Sequence, residues 1–110
     1  MSAPAPEWSV YLVRCRHGSL YTGIATDVAR RFAEHQRSDG KAAKYLRGKG
    51  PLQLVFERAI GDRQLALSVE RRIKKLPKAR KEELIEQRDV IDRVVSQARE
   101  HAGEEGPSVE

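Results

Sequence analysis

The sequence predicts an α/β domain: a small three-stranded sheet in a β-β-α-β-α core, flanked by helices and followed by an extra C-terminal helix. Three observations carry this reading. Two short runs dense in β-branched and aromatic residues, Trp8–Val13 and Leu20–Ile24, lie on either side of a turn signal. Further along, the apolar residues change from strand-like spacing to recurrences of three and four, the period of a helix. A chain of 110 residues also holds one hydrophobic core but hardly two.

Residues 1–7, rich in Pro and Ala, read as a loose arm. The two β-rich runs, joined through Arg16-His17-Gly18-Ser19, predict a hairpin. Asp27 is placed to cap a helix running to about Arg37, with Val28, Ala29, Phe32 and Ala33 as its apolar stripe. Ser38 to Pro51 holds three glycines and four Lys or Arg and reads as a mobile basic loop with a helical turn around Ala42–Leu46. Leu52 to Ala59 alternates as a third strand. Asp62 then caps a helix whose stripe is Leu65, Val69, Ile73 and Leu76. Pro77 disfavours helix at Leu76 and suits the first turn of a new one, so a short helix is expected over 77–87 with Leu84 and Ile85 buried. The last helix, over 87–102, carries Val90, Ile91, Val94, Val95 and Ala98 on one side, and 103–110 is an acidic, flexible tail. The expected division is therefore an arm at 1–7, a domain at 8–86, a further amphipathic helix at 87–102 and a tail at 103–110.

Composition narrows the function. A hydrophobic fraction of 39% arranged in runs, with 34% charged residues, fits a folded domain with a heavily charged surface. No apolar run is long enough to span a membrane. The first residues lack the pattern of a secretory signal. The one cysteine, Cys15, cannot form an internal disulfide. These features predict a cytoplasmic protein, nucleoid-associated at most. Residues 1–86 hold 18 Lys or Arg against 10 Asp or Glu, a net of +8, while residues 87–110 hold 3 against 6, a net of −3. The positive potential thus belongs to the main body and points to a polyanion as partner.

Chemistry-bearing residues stand out within that body. Tyr11 and Tyr21 lie on the two hairpin strands, and Arg31 and His35 are one helical turn apart. Glu70 borders the stripe of its helix beside Ala66. Singly, each has an ordinary explanation: a strand Tyr packs, a helical Arg sits in water and an edge Glu forms a salt bridge. As a set, Ser9-Val10-Tyr11, Tyr21-Thr22-Gly23, Arg31, His35 and Glu70 resemble the signature of the GIY-YIG nucleases. Leu20 to Val28 and Leu46-Arg47-Gly48-Lys49-Gly50 are similar to strings in short stand-alone bacterial members. The resemblance covers about residues 8–86. Ser9 replaces the first glycine of the signature, Thr22 replaces the central Ile of the second motif, and no family-like polar residue is identifiable near the end of the core.

The resemblance implies the GIY-YIG fold and a metal-dependent endonuclease, a hydrolase of phosphodiester bonds acting on nucleic acid, DNA favoured over RNA, in repair, recombination or nucleic-acid turnover. It implies Tyr11, Tyr21, Arg31, His35 and Glu70 as catalytic residues, with Glu70 holding one divalent ion, Mg²⁺ or Mn²⁺. One carboxylate suffices for Mg²⁺, which keeps several waters. Arg31 carries a planar fork suited to two phosphate oxygens. Tyr11 is the candidate to position or deprotonate the attacking water. A free tyrosine, with a pKa of about 10, is ionised in about one molecule per thousand at neutral pH, so the expectation is that Arg31 and the metal favour its phenolate. Affinity is expected from Arg71, Lys74, Lys75, Lys78, Arg80 and Lys81 after Glu70, and from Lys41, Lys44, Arg47 and Lys49 in the loop, with Tyr45 available to stack. No small-molecule cofactor is expected. The alternatives are a catalytically weak or inactive nucleic-acid-binding module on the same fold, and a protein-interaction domain that uses the apolar side of residues 90–98.

Overall fold

The computed structural model describes residues 5–37, 46 and 48–101. Along them run β1 (Trp8–Arg14), β2 (Leu20–Ala25), α1 (Val28–Arg37), β3 (Gln53–Gly61), α2 (Arg63–Lys74), α3 (Lys78–Glu86) and α4 (Arg88–Glu100). The sheet is antiparallel in the order β2-β1-β3. As the central strand, β1 is covered on both faces, which is why it reads as a continuous apolar run. Val10, Leu12, Tyr11 and Val13 are each no more than 1% exposed. The predicted α/β class and element order are those observed, with β3 two residues longer than expected at its C-terminal end.

Alternation along β1 divides the interior into two clusters. Val10 and Leu12 point to one side, where Ala66, Val69 and Ile73 of α2, Leu84 of α3 and Val90, Ile91, Val94 and Ala98 of α4 pack on them. Tyr11 and Val13 point to the other, against Ala25 and Val28, with Phe32 of α1 alongside. A register shift against β3 between Leu12 and Val13 lets neighbouring Val55 and Phe56 both pack on the larger cluster, as a bulge does.

Local signals set the helix ends. The Asp27 carboxylate accepts the N–H of Arg30 at 3.1 Å, and that of Asp62 accepts the N–H of Leu65 at 2.8 Å. Pro77 is the extended residue before α3, so that helix starts one residue later than its predicted 77. Ala29, expected in the stripe of α1, is exposed, and the stripe narrows to buried Val28 with half-buried Phe32 and Ala33. Ile85 is half-buried beside fully buried Leu84. The apolar side of α4 lies inside the chain's own core, so it offers no face to a partner. This removes the basis of the protein-interaction reading.

Two charged clasps tie helices to strands. Arg14 of β1 donates through both guanidinium arms to the Glu82 carboxylate of α3, at 2.7 and 2.8 Å. Arg58 of β3 meets Asp92 of α4 at 2.6 Å. Most of the predicted basic loop, including Lys41, Lys44, Tyr45 and Arg47, falls outside the described residues, while Leu46 is buried. Among the described residues, no helix is long and apolar enough to cross a membrane.

Candidate active site

Strand register brings the tyrosines together. Tyr11 stands opposite Gly23, and Val13 opposite Tyr21, so both phenols lie on the α1 side of the sheet. Their ring centroids are 6.3 Å apart. His35, in the last turn of α1, completes a triangle, 6.1 Å from Tyr11 and 5.7 Å from Tyr21, edge-on to the latter. His35 is fully buried, and the Tyr11 hydroxyl lies 2.9 Å from its Nε2. The hydroxyl donates when the imidazole carries its proton on Nδ1. Gly23 makes room for this pair. A Cβ there would stand 2.6 Å from the Tyr11 hydroxyl oxygen, 2.7 Å from its Cζ and 3.0 Å from Cε2 of Tyr21.

Arg31 and Glu70 bring charge to the triangle. Burial is the largest influence on Tyr11 and raises its pKa well above the ordinary value; Tyr21 and, more weakly, Glu70 push the same way. Arg31 opposes them by charge and by a side-chain hydrogen bond to Tyr11, but does not offset burial. Arg31 therefore favours the phenolate, as expected, but burial outweighs it, because removing a phenol from water disfavours the anion more than one guanidinium favours it. His35 moves the opposite way. Burial and the Arg31 charge lower its pKa, with Glu34 partly compensating. The resting pair is thus a neutral phenol against a neutral imidazole.

Glu34, which its spacing offers as a partner for Arg30, turns mainly to Arg31. Its carboxylate accepts from Nη1 of Arg31 at 2.9 Å and lies 3.9 Å from Nε of Arg30. An acidic residue three positions after an arginine is common on helices, so spacing alone gives it no distinction. Here it leaves Arg31 one-third exposed while Glu34 itself is only 13% exposed.

Glu70 enters from α2, at the margin of the face that packs on the sheet. Its side chain is 14% exposed, and Lys74 Nζ stands 3.4 Å from Oε2. Among the described residues no three His, Cys, Asp or Glu side chains gather as a metal cage. Glu70 offers a single carboxylate, a donor of the kind that suits a hydrated ion.

Residues 7–83 match the GIY-YIG catalytic domain. This chain belongs to the GIY-YIG family. It is 61% identical over 79 residues to the UPF0213 protein of Cronobacter sakazakii, covering 72% of this chain and 81% of that one. It is 52% identical over 89 residues to the UPF0213 protein YhbQ of Salmonella typhimurium, covering 81% and 87%. The solution NMR structure of the UPF0213 protein BH0048 from Bacillus halodurans is 41% identical, covers 73% of this chain and 83% of its own, and superposes with a TM-score of 0.47.

The GIY-YIG signature maps onto the elements just described. Its second motif carries Thr22 where the family pattern has Ile. Thr22 pairs with Leu12 and is 3% exposed, with its Oγ1 unpartnered. Of the basic residues, Lys74 leans on Glu70 and Lys78 is 4.0 Å from Glu82. Arg80 pairs with Glu83 at 2.6 Å, and Lys75 is exposed. Arg71 instead lines a cleft between α2 and α4 with Ser68, Ala98 and Arg99. The hairpin turn joins the two basic stretches. The N–H of Arg16 donates to the Lys49 carbonyl at 2.9 Å, and Lys78 Nζ comes within 3.5 Å of where a Gly18 Cβ would be. Exposed Arg16, which the sequence marks only as part of the turn, joins this surface.

Proposed function

We propose that this protein is an endonuclease that hydrolyses phosphodiester bonds in DNA with one divalent ion, Mg²⁺ or Mn²⁺, and serves repair, recombination or nucleic-acid turnover in the bacterial cytoplasm. The observation that carries the reading is the buried 2.9 Å bond between the Tyr11 hydroxyl and His35 Nε2, with Arg31 acting on the same phenol. A module that only binds nucleic acid needs its basic surface but has no use for a buried phenol poised against a neutral imidazole.

Neutral His35 is able to accept the Tyr11 proton at Nε2. As that proton leaves, the phenolate oxygen takes one from a water that forms a bond to phosphorus, and the far P–O bond breaks. Tyr11 and His35 thereby act as a relay in which no free phenolate accumulates. Tyr21, packed on both rings, holds their angle. Arg31 presents guanidinium donors to the phosphoryl oxygens as negative charge builds on them, and its attraction for the Tyr11 oxygen strengthens as the proton departs. Glu70 would hold the ion, whose chemistry there is to neutralise phosphate charge and stabilise the departing oxygen. Lys74, Lys75, Lys78, Arg80, Lys81, Lys49 and Arg16, with Lys41, Lys44 and Arg47, supply contacts to the phosphate backbone, and Tyr45 is available to stack. Arg71 contributes from the α2–α4 side.

The test is nicking of supercoiled plasmid by pure protein in Mg²⁺ or Mn²⁺, compared with Glu70→Ala. Cleavage is expected to vanish in the variant while gel-shift affinity stays nearly intact. A folded variant that still nicks, or that loses binding together with activity, refutes the assignment of Glu70 as metal ligand.

A further inference from the structure

At the end of the sheet, beside the site just described, a depression of about 230 Å³ opens between the start of β1 and the β2–α1 turn. Its walls include Trp8, Ile24, Thr26, Asp27, Arg30 and Arg31. Trp8 is the single tryptophan of the chain and only half-buried. Arg63 lies over its ring at 5.6 Å, a cation–π contact that steadies the indole. None of these side chains except Arg31 has a part in the relay.

We propose that this depression is a nucleobase pocket, receiving one unpaired base next to the phosphodiester held by Arg31. The proposal rests on the phosphodiesterase reading above and names the substrate feature that site selects. Four observations support it. The cavity is smaller than the roughly 300–1,000 Å³ that hold drug-sized ligands, which suits a single planar ring system and not a base pair. Its wall combines an aromatic ring, on which any base stacks, with apolar Ile24. Thr26 and Asp27 supply polar atoms for the base edge, although one Asp27 oxygen already accepts the Arg30 N–H. Most directly, Arg31 both acts on Tyr11 by its charge and lines the cavity, so a phosphate engaged there places its own nucleoside at the mouth. Arg30, with three-quarters of its side chain exposed, is positioned for the next phosphate along. A base paired within a duplex cannot enter, so nucleic acid with unpaired nucleotides at the cleaved bond is the favoured substrate.

Because Trp8 is the sole tryptophan, its emission reports on the pocket directly. The experiment titrates the full chain, in EDTA so that nothing is cleaved, with three end-labelled polymers of equal length. These are a single-stranded DNA oligonucleotide, the same sequence as a blunt duplex, and an abasic sugar-phosphate strand. Anisotropy of the label gives binding, and Trp8 emission gives occupancy of the pocket. The single strand is expected to quench Trp8 with the same midpoint as the anisotropy, whereas the duplex and the abasic strand bind without quenching. Trp8→Ala is expected to weaken single-strand binding by about tenfold or more and leave the abasic strand unaffected. Trp8→Phe, which keeps a stacking ring and the packing of β1, is expected to retain most of the affinity. Unchanged Trp8 emission with the single strand bound, equal affinity for the abasic strand, or no binding of any of the three overturns the pocket. Cleavage is scored separately in Mg²⁺. Quenching without cleavage therefore refutes the nuclease reading and leaves the pocket standing, while cleavage without quenching does the reverse.

Discussion

The Tyr11 hydroxyl rests in space that exists because residue 23 is glycine: a Cβ at Gly23 would stand 2.6 Å from the phenolic oxygen. With Tyr11 only 1% exposed, the ring has nowhere to retreat. Gly23→Ala is expected to keep the fold but tilt the phenol from His35. Displacements of about 1 Å at a reacting group cost on the order of a hundredfold in rate, and overpacking costs about 1–3 kcal/mol of stability. Single-turnover cleavage and chemical denaturation measure the two losses; an unimpaired rate would show that the 2.9 Å bond has no part in catalysis.

Arg31 and Arg30 are neighbours with different duties, and conservative substitution separates them. Arg31→Lys keeps the charge but loses the planar fork, so its single-turnover rate should fall by about a hundredfold, the usual loss for one transition-state donor. Arg30→Lys should change little, because a distant Glu34 oxygen at 3.9 Å is its ion-pair partner. Glu34→Gln is expected to fall between them, since it loosens Arg31 without removing it. Equal effects at both arginines would reduce Arg31 to bulk electrostatics.

The two buried titratable rings make stability depend on pH in opposite directions. His35 has a folded pKa below its ordinary value. Between the two values the unfolded chain binds the extra proton, so stability rises with pH across that window and falls as pH drops below about 6.5. Tyr11 has a folded pKa above its ordinary value, so above about pH 10 only the unfolded chain releases the proton and stability declines. Melting temperature against pH should flatten on the acid side in His35→Gln and on the alkaline side in Tyr11→Phe. The cleavage rate of the native protein should rise as pH climbs through the lowered His35 pKa, because only the neutral imidazole accepts a proton.

The basic surface predicts a salt response. If about five phosphates are contacted, log affinity for duplex DNA should fall against log salt with a slope near −4 to −5. Replacing Lys74, Lys75 and Lys78 with Ala should make that slope shallower. Replacing Arg88, Arg93 and Arg99 should not: all three belong to α4, where Arg93 is held by Asp89 at 3.2 Å. A slope insensitive to the three lysines would move the binding surface elsewhere.

Thr22 offers a test of stability apart from chemistry. Its hydroxyl is buried with no partner in a face that otherwise packs apolar groups. An unmet polar group of this kind costs about 1–3 kcal/mol. Thr22→Val, which keeps the branched shape, should raise unfolding free energy by about 1 kcal/mol and leave cleavage unchanged.

What was legible in the sequence is what local pattern controls. Strand and helix periods, the Asp27 and Asp62 caps and the break at Pro77 depend on neighbours along the chain, and they place Tyr11, Tyr21, Arg31, His35 and Glu70 on their elements. What was not legible depends on depth and on contacts across the fold. Whether Tyr11 is wet or dry sets the sign of its pKa shift, and nothing in Ser9-Val10-Tyr11 tells the two apart. The grip of Glu34 on Arg31 looks like any helical ion pair. Trp8 reads as one more strand residue, and only the folded chain brings Arg31 to the same cavity.

Helix α4 has a further consequence. The family match stops at residue 83, yet Val90, Ile91, Val94 and Ala98 are wedged into the cluster that supports β1. Burying three such aliphatic side chains is worth about 5–9 kcal/mol, comparable with the whole stability of a small domain at about 5–15 kcal/mol. A cassette cut from this chain at the edge of the recognisable motif would thus carry every residue of the candidate site and still be expected to fail as an independent part. Anyone grafting it onto another protein should make the splice after His101, treating α4 as the keel of the part that carries the candidate site.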